Sequence, residues 1–250
     1  MTLWPVPNGA AERLALAKGY PFFIPEESYL LADGAVRPLP ALDDPVFAGR
    51  TPVLAVGSNQ SPDQLRRKFA HFPPPARIPV TRAWLADFDV VYATHITRYG
   101  SIPGNLFPTP GARVRLSVTW LDAEQLAAMH ATEIAGEHYV FGRLGAVELA
   151  IDNGPMLRQV HGYVSLQGCL REDDAPVGLA AIRAEGRPYP GLPQEAMLEL
   201  LRRRCASPLA LDDFILALVT DPDLRDACTQ RLRADGLPFA WTHLDVVETG

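Results

Sequence analysis

The sequence is poor in cysteine and holds no basic block, no long apolar run and no common nucleotide- or metal-binding signature. Its three cysteines, Cys169, Cys205 and Cys228, are far apart and odd in number, with no C-x-x-C pair. That argues against a zinc ribbon and against a disulfide framework, and it fits a reducing, cytoplasmic setting. No uninterrupted apolar stretch approaches the length that crosses a bilayer. Met1-Thr2-Leu3-Trp4-Pro5 has neither a charged n-region nor an apolar h-region, so no signal peptide is expected there. Lysine and arginine number 23 against 29 aspartates and glutamates, a net charge of −6. Nucleic acid and membrane surfaces are therefore not expected partners. Neither G-x-G-x-x-G nor a P-loop occurs. G-x-S-x-G, H-E-x-x-H and H-x-x-E-H are also missing. His130, Glu133, Glu137 and His138 cluster in sequence without either histidine–glutamate spacing, so neither a metal nor a cofactor is expected.

What the chain does have is proline, 24 of them in 250 residues, which predicts many loops and short elements. One or two domains fit this length. The most informative stretch is Val53-Leu54-Ala55-Val56-Gly57-Ser58-Asn59. An apolar run of this kind fits a short buried strand, and its glycine lets the backbone turn and approach a ligand closely. Ser61-Pro62-Asp63-Gln64 then has the form of a capping box with proline at the first helical position. A strand, a tight loop and a helix start bring free N–H groups together, where a carboxylate or developing oxyanion can bind. The plain alternative is a strand-to-helix turn with no ligand.

Along the chain, residues 1–50 read as an N-terminal extension packed on the core. A short helix is expected from Ala10 to Lys18, a turn at Asp33-Gly34 and an extended connection over 35–50. The helix after the loop runs from about Pro62 to Ala70. Residues 78–94 are strand-like, and 95–104 form a polar, glycine-bearing loop of the kind that carries function. Pro110-Gly111 is a turn signal. From Arg113 to Trp120 apolar and polar residues alternate, as in a half-buried strand. Asp122-Ala123-Glu124-Gln125 is a second capping box, opening a helix with Leu126 and Met129 on its buried side and Glu133 at its end. Tyr139–Leu144 and Ala146–Ile151 read as strands around Gly145. Asp152-Asn153-Gly154 signals a hairpin, with Leu157–Leu166 returning. Three helices are expected near 194–205, 209–219 and 222–234.

The order of these features resembles the γ-glutamylcyclotransferase family over roughly residues 51–204. The family opens with a strand ending in Tyr-Gly-Ser-Asn, matched here by Val56-Gly57-Ser58-Asn59. A loop and Pro-Gly turn feeding a strand follow, matched by Phe107-Pro108-Thr109-Pro110-Gly111-Ala112-Arg113-Val114. A helix ending in a glutamate comes next, then a glycine and a tyrosine, matched by Met129 to Tyr139. Gly191-Leu192-Pro193 before a helix also fits. Two departures are Val56 in place of the motif tyrosine, and Met129-His130 and Ile134 where the family has Leu-Asp and glycine. The resemblance implies an α+β fold: a γ-glutamylcyclotransferase-like mixed β-barrel with flanking helices at 51–204. The N-terminal extension precedes it and a helical C-terminal tail covers 205–250.

The resemblance also implies a reaction. The α-amine of a small γ-glutamyl amide attacks its own γ-carbonyl, releasing 5-oxoproline and an amine, without metal, cofactor or covalent intermediate. Glu133 is then the general acid/base. A free glutamate titrates near 4.3, so an apolar pocket, to which Ile134, Ala135 and Tyr139 could contribute, would have to raise it. Backbone N–H groups at Gly57 and Ser58 would hold the oxyanion. Val56, Asn59, Tyr139 and the 95–104 loop would hold the substrate. Each has a plainer reading: Glu133 as a solvated carboxylate at a helix end, Asn59 as a turn residue, Tyr139 as core. A binding module with the same pocket and no turnover is the alternative function. The leaving amine and the oligomeric state are not written in the sequence.

Overall fold

The computed structural model describes residues 4–133 and 139–248. Its strands are β1 (Tyr29–Ala32), β2 (Ala35–Pro38), β3 (Thr51–Ala55), β4 (Arg77–Tyr92), β5 (Gly104–Leu121), β6 (Val140–Ile151) and β7 (Met156–Val164), followed by short pairs between 171 and 192 and a last strand, Leu244–Glu248. Its helices are α1 (Ala10–Lys18), α2 (Pro62–Phe69), α3 (Ala123–Glu133), α4 (Gln194–Arg204), α5 (Leu211–Thr220) and α6 (Pro222–Ala234). Strand β5 pairs with both β3 and β4, β4 with β6, β6 with β7, and β7 with β3. The ring closes on itself, so these five strands have no open edge. Only the β3–β7 contact is parallel, which makes this the mixed barrel of an α+β protein.

The alternation in β5 explains the barrel interior. Val114, Leu116 and Val118 are fully buried and join Leu85, Val90 and Leu144 in the main core. A second apolar layer lies where α2 and α3 pack on the barrel. Leu65, Phe69, Ala128 and Met129 meet Val53, Val80 and Phe141 there. Each such side chain contributes about 1.5–3 kcal/mol on burial. Both helices start at the expected caps, but at α2 the box does not close, because the Ser61 N–H donates to the Ser58 carbonyl (2.9 Å) and not to Gln64. Ser61 Oγ accepts from the Asp63 N–H (3.3 Å). At α3 both bonds of the capping box form: the Gln125 N–H donates to Asp122 Oδ1 (2.9 Å), and the Asp122 N–H donates to Gln125 Oε1 (3.3 Å).

Pro110-Gly111 does not turn the chain back; it lies inside β5. The β4–β5 register shifts between Ala86 and Phe88. Asp87 and Gly111 both take positive φ (60° and 83°), and the Gly111 N–H donates to Asp87 Oδ1 (2.8 Å). This is a bulge that bends two long paired strands. The connection between them is the loop at 93–103, which contains most of the polar stretch noted in the sequence. Gly145 likewise marks a bulge within one strand, β6, rather than a break between two. Asn153, at φ 53°, does form the β6–β7 hairpin turn.

The N-terminal residues contribute more than a packed extension. Tyr29–Ala32 pairs with β4, Asp33-Gly34 turns the chain, and β2 returns along β1. The stretch 35–50 thus holds β2 and one turn of 3₁₀ helix at Pro45–Phe47, rather than only an extended connection. Helix α1 packs against α4 and α5. The three C-terminal helices fall where the sequence placed them. After them Leu244–Glu248 pairs with β6, a strand too short to stand out in the sequence. No helix among the described residues is long and apolar enough to cross a membrane.

Candidate functional site

The C-terminal ends of β3, β4 and β7 and the starts of β5 and β6 meet at one end of the barrel. A cavity of about 300 Å³ opens there, and Val56, Gly57, Ser58, Asn59, Glu133 and Tyr139 all line it. The structure therefore brings together every site residue named from the sequence. Ile134, Ala135, Glu137 and His138 lie outside the described residues.

The turn after β3 is held from beneath. Gln60 is buried, and its side chain donates to the Val56 carbonyl (3.2 Å). Its Oε1 accepts from the Arg82 guanidinium (2.8 Å), which also donates to Ser117 Oγ (2.6 Å). The Tyr29 hydroxyl donates to the Gln60 carbonyl (3.0 Å). Burial pushes the Arg82 guanidinium down to about 10, because the groups it bonds here are neutral. These bonds fix the Gly57–Gln60 backbone before any ligand arrives, which is what a preorganised site needs.

Above the turn, Asn59 Nδ2 donates to Glu133 Oε1 (3.2 Å). Asn59 is thus not bonded back to its own turn, and among the described residues its Oδ1 is buried without a partner. Glu133 ends α3, yet it is not the solvated carboxylate of the plain reading. Its side chain is 18% exposed and forms an ion pair through Oε1 with Lys68, which is 5% exposed. Lys68 Nζ also donates to Thr132 Oγ1 (3.1 Å) and lies 3.4 Å from Met129 Sδ. Sequence reasoning had given this carboxylate no ammonium partner. Among the described residues nothing donates to Glu133 Oε2.

Three tyrosines close the cavity. Tyr139 packs edge-on to His95 (5.3 Å, 81°). Burial raises its phenol well above the ordinary range, and Tyr20, Glu133 and Tyr99 add to the shift. Tyr99 is raised by burial as well. Tyr20 arrives from the N-terminal segment, where its hydroxyl accepts from the Gly104 N–H (2.8 Å). Trp4 forms the outer wall. Its carbonyl accepts from Arg98, whose guanidinium also covers its ring at 4.7 Å. His130 does not line this cavity; its Nδ1 is bonded to the Tyr163 hydroxyl (2.8 Å). Among the described residues no group of three potential ligands could hold a metal.

Sequence reasoning missed Lys68, Tyr20 and Arg82. Lys68 had a signal: Gln64, Leu65, Lys68 and Phe69 share the buried stripe of α2, and a charge on such a stripe asks for a partner. Tyr20 opens an aromatic, proline-bounded stretch, 20–25, that reads as packing on the main domain before it reads as a clamp over a pocket, and Arg82 reaches the turn only through tertiary packing.

No protein-family model matches the chain, and no curated protein does. Solved structures that resemble it include one named γ-glutamyl cyclotransferase, 13% identical, covering 72% of this chain and 99% of that one, with a TM-score of 0.39. An uncharacterised human protein is 14% identical over 72% of this chain and 98% of its own, also at 0.39. An Arabidopsis thaliana protein solved in solution is 16% identical over 62% of this chain and 85% of its own, at 0.37. The family that the sequence order resembles is thus among the structures matched. The overlaps are low, and the functional reading below rests on the residues of the cavity.

Proposed function

We propose that this chain is a cofactor-independent γ-glutamylcyclotransferase-like enzyme, cleaving a small γ-glutamyl amide by intramolecular aminolysis. The observation that carries the reading is the position of Glu133. A carboxylate at a helix end faces an enclosed cavity beside a preorganised Gly-Ser-Asn turn, with Asn59 Nδ2 3.2 Å from its Oε1. A cavity of about 300 Å³ suits a glutamyl-sized ligand.

In this reading the substrate's α-ammonium gives a proton to Glu133 Oε2, while Lys68 and Asn59 hold Oε1. The free amine adds to the γ-carbonyl carbon, and the carbonyl oxygen becomes an oxyanion. The C–N bond to the leaving amine then breaks as Glu133 returns the proton to that nitrogen, and the second proton of the ring nitrogen passes to the departing amine, which leaves as an ammonium. The products are 5-oxoproline and the amine, with atoms and charge balanced. Asn59 Oδ1, buried and without a partner among the described residues, is suited to accept from the substrate ammonium. Tyr139 walls the pocket so that amine and carbonyl stay close.

The Lys68 pair favours a second reading, a binding module on the same fold. A carboxylate already neutralised by a buried ammonium can recognise a ligand's ammonium without turning the ligand over. The deciding assay incubates purified protein with γ-glutamyl amino acids, γ-glutamyl amines and glutathione, and measures 5-oxoproline beside Glu133→Gln. The enzyme reading expects release by wild type and a fall of about 10²–10⁴ in the variant. No release across the panel by folded wild type leaves the binding reading.

A further inference from the structure

The Tyr20 oxygen occupies the place where the sequence had put an oxyanion. It lies so close to the turn that a Cβ on Gly57 would sit 1.9 Å from it. Position 57 therefore has to be glycine because this chain's own hydroxyl approaches there, with φ at −122° and no left-handed backbone involved. The Gly104 N–H donates to this oxygen at 2.8 Å, which uses acceptor capacity of the phenol oxygen and leaves its single proton to be given away. Among the described residues no protein acceptor receives that proton. Tyr20 lines the cavity, and its ring is fixed among Phe22 (6.2 Å) and the buried core.

We propose that the Tyr20 hydroxyl is the donor to the ligand's carbonyl oxygen in this cavity, with the Gly104 N–H acting through it rather than on the ligand. The inference rests on the cyclotransferase reading for the identity of that carbonyl, the γ-carbonyl of a γ-glutamyl amide. Physically, donation by the Gly104 N–H onto Oη polarises its O–H bond and makes it a stronger donor. Charge develops on the carbonyl oxygen only as the amine adds, so this contact matters more in the transition state than in the ground state. Burial is the main reason the phenol stays protonated across the working range, which keeps the donor in place. A hydroxyl absent from the Val56 position is thus supplied by an element outside the 51–204 region, and the N-terminal segment becomes part of the site.

The test compares wild type, Tyr20→Phe and Gly57→Ala, with far-UV circular dichroism to verify folding. Tyr20→Phe keeps the ring and removes only the donor. The expected result is a fall in kcat of about 10²–10³, with KM changed by no more than about three-fold. Gly57→Ala, which drives the hydroxyl away from the turn and from the Gly104 N–H, is expected to act in the same direction and serves if Tyr20→Phe does not fold. Unchanged or raised kcat in folded Tyr20→Phe would mean that the N–H groups bind the oxyanion directly, and would overturn the assignment while leaving the cyclotransferase reading intact. Should wild type turn over no γ-glutamyl compound, calorimetric titration with 5-oxoproline replaces the kinetics. A loss of about ten-fold in affinity in Tyr20→Phe would then keep Tyr20 as the carbonyl donor of a binding site. No binding by wild type would end both proposals.

Discussion

Replacing Lys68 with methionine tests the pair at the centre of the site. The substitution keeps most of the side-chain volume, against Met129 whose sulfur already lies 3.4 Å from Nζ, so little cavity cost is added. What changes is that Glu133 loses its cation. Breaking a buried pair by removing one partner costs about 3–5 kcal/mol. The 18% exposure of Glu133 and its remaining bond from Asn59 bring the expected cost to roughly 2–3 kcal/mol. In a chain of this length that lowers Tm by about 4–12 °C. Glu133→Gln strands Lys68 instead and is expected to cost a similar amount. The double variant, Lys68→Met with Glu133→Gln, leaves no charge behind and is expected to recover most of the loss. Urea melts of the four proteins would give a coupling energy of about 2 kcal/mol. A coupling below about 0.5 kcal/mol would mean that the two charges are screened by water, that Glu133 is a surface carboxylate, and that the catalytic role argued for it has lost its structural basis.

Two further outcomes follow from the buried titratable groups. Burial raises the phenols of Tyr20, Tyr29, Tyr92, Tyr99, Tyr139 and Tyr189, and pushes the Cys169 thiol up to about 12. Above pH ~9–10 the unfolded chain sheds protons that the folded chain keeps, so stability falls with pH by up to about 1.4 kcal/mol per pH unit for each group; tyrosinate absorbance should rise together with loss of far-UV circular dichroism, and tyrosine ionisation well ahead of unfolding would refute this. The Cys205 thiol contacts that of Cys228, which lowers its pKa with help from Arg231, so exchange with a small disulfide should join the two, remove two hydrogens by mass spectrometry, leave Cys169 free and stabilise the fold by about 3 kcal/mol; a mixed disulfide that persists on Cys205 would count against the pairing.

Local chemistry was legible, and global pairing was not. The alternation from Arg113 to Trp120, the cap at Ser61, the box at Asp122 and the turn at Asn153 each depend on neighbours a few residues away, and each formed, although the box expected at Ser61–Gln64 did not close. Pro110-Gly111 carries the same turn chemistry, yet β4 and β5 continue past it on both sides. Their long antiparallel pairing converts a would-be turn into a bulge, a choice made by strands whose pairing the local sequence does not encode. The same division runs through the site. Gly57 to Asn59 and Glu133 come from two elements whose order in the chain marked them. Lys68 is joined to Glu133 across 65 positions of sequence, and Tyr20 to Gly104 across 84. Contacts at such separations leave only indirect traces, such as a lysine on an apolar helix face or a glycine with no turn that requires it.

That last trace changes what the motif at 56–59 means. A reading confined to the motif finds valine where a tyrosine would stand and concludes that a hydroxyl is missing. The packed chain has a hydroxyl at the next residue, carried in from Tyr20 and seated where only a glycine leaves room. It is held there by more than the turn. Phe22 and Trp4 flank the Arg67 guanidinium at 4.8 and 5.3 Å, Trp4 and Phe22 both pack on Tyr99, and Arg98 binds the Trp4 carbonyl. The N-terminal segment and the β4–β5 loop therefore form one wall of the cavity, and a change in either displaces the other. In this chain the residue types at the site are set by the contacts that converge on the Gly57 turn, so the chemistry has to be read from that convergence and not from the four-residue motif alone.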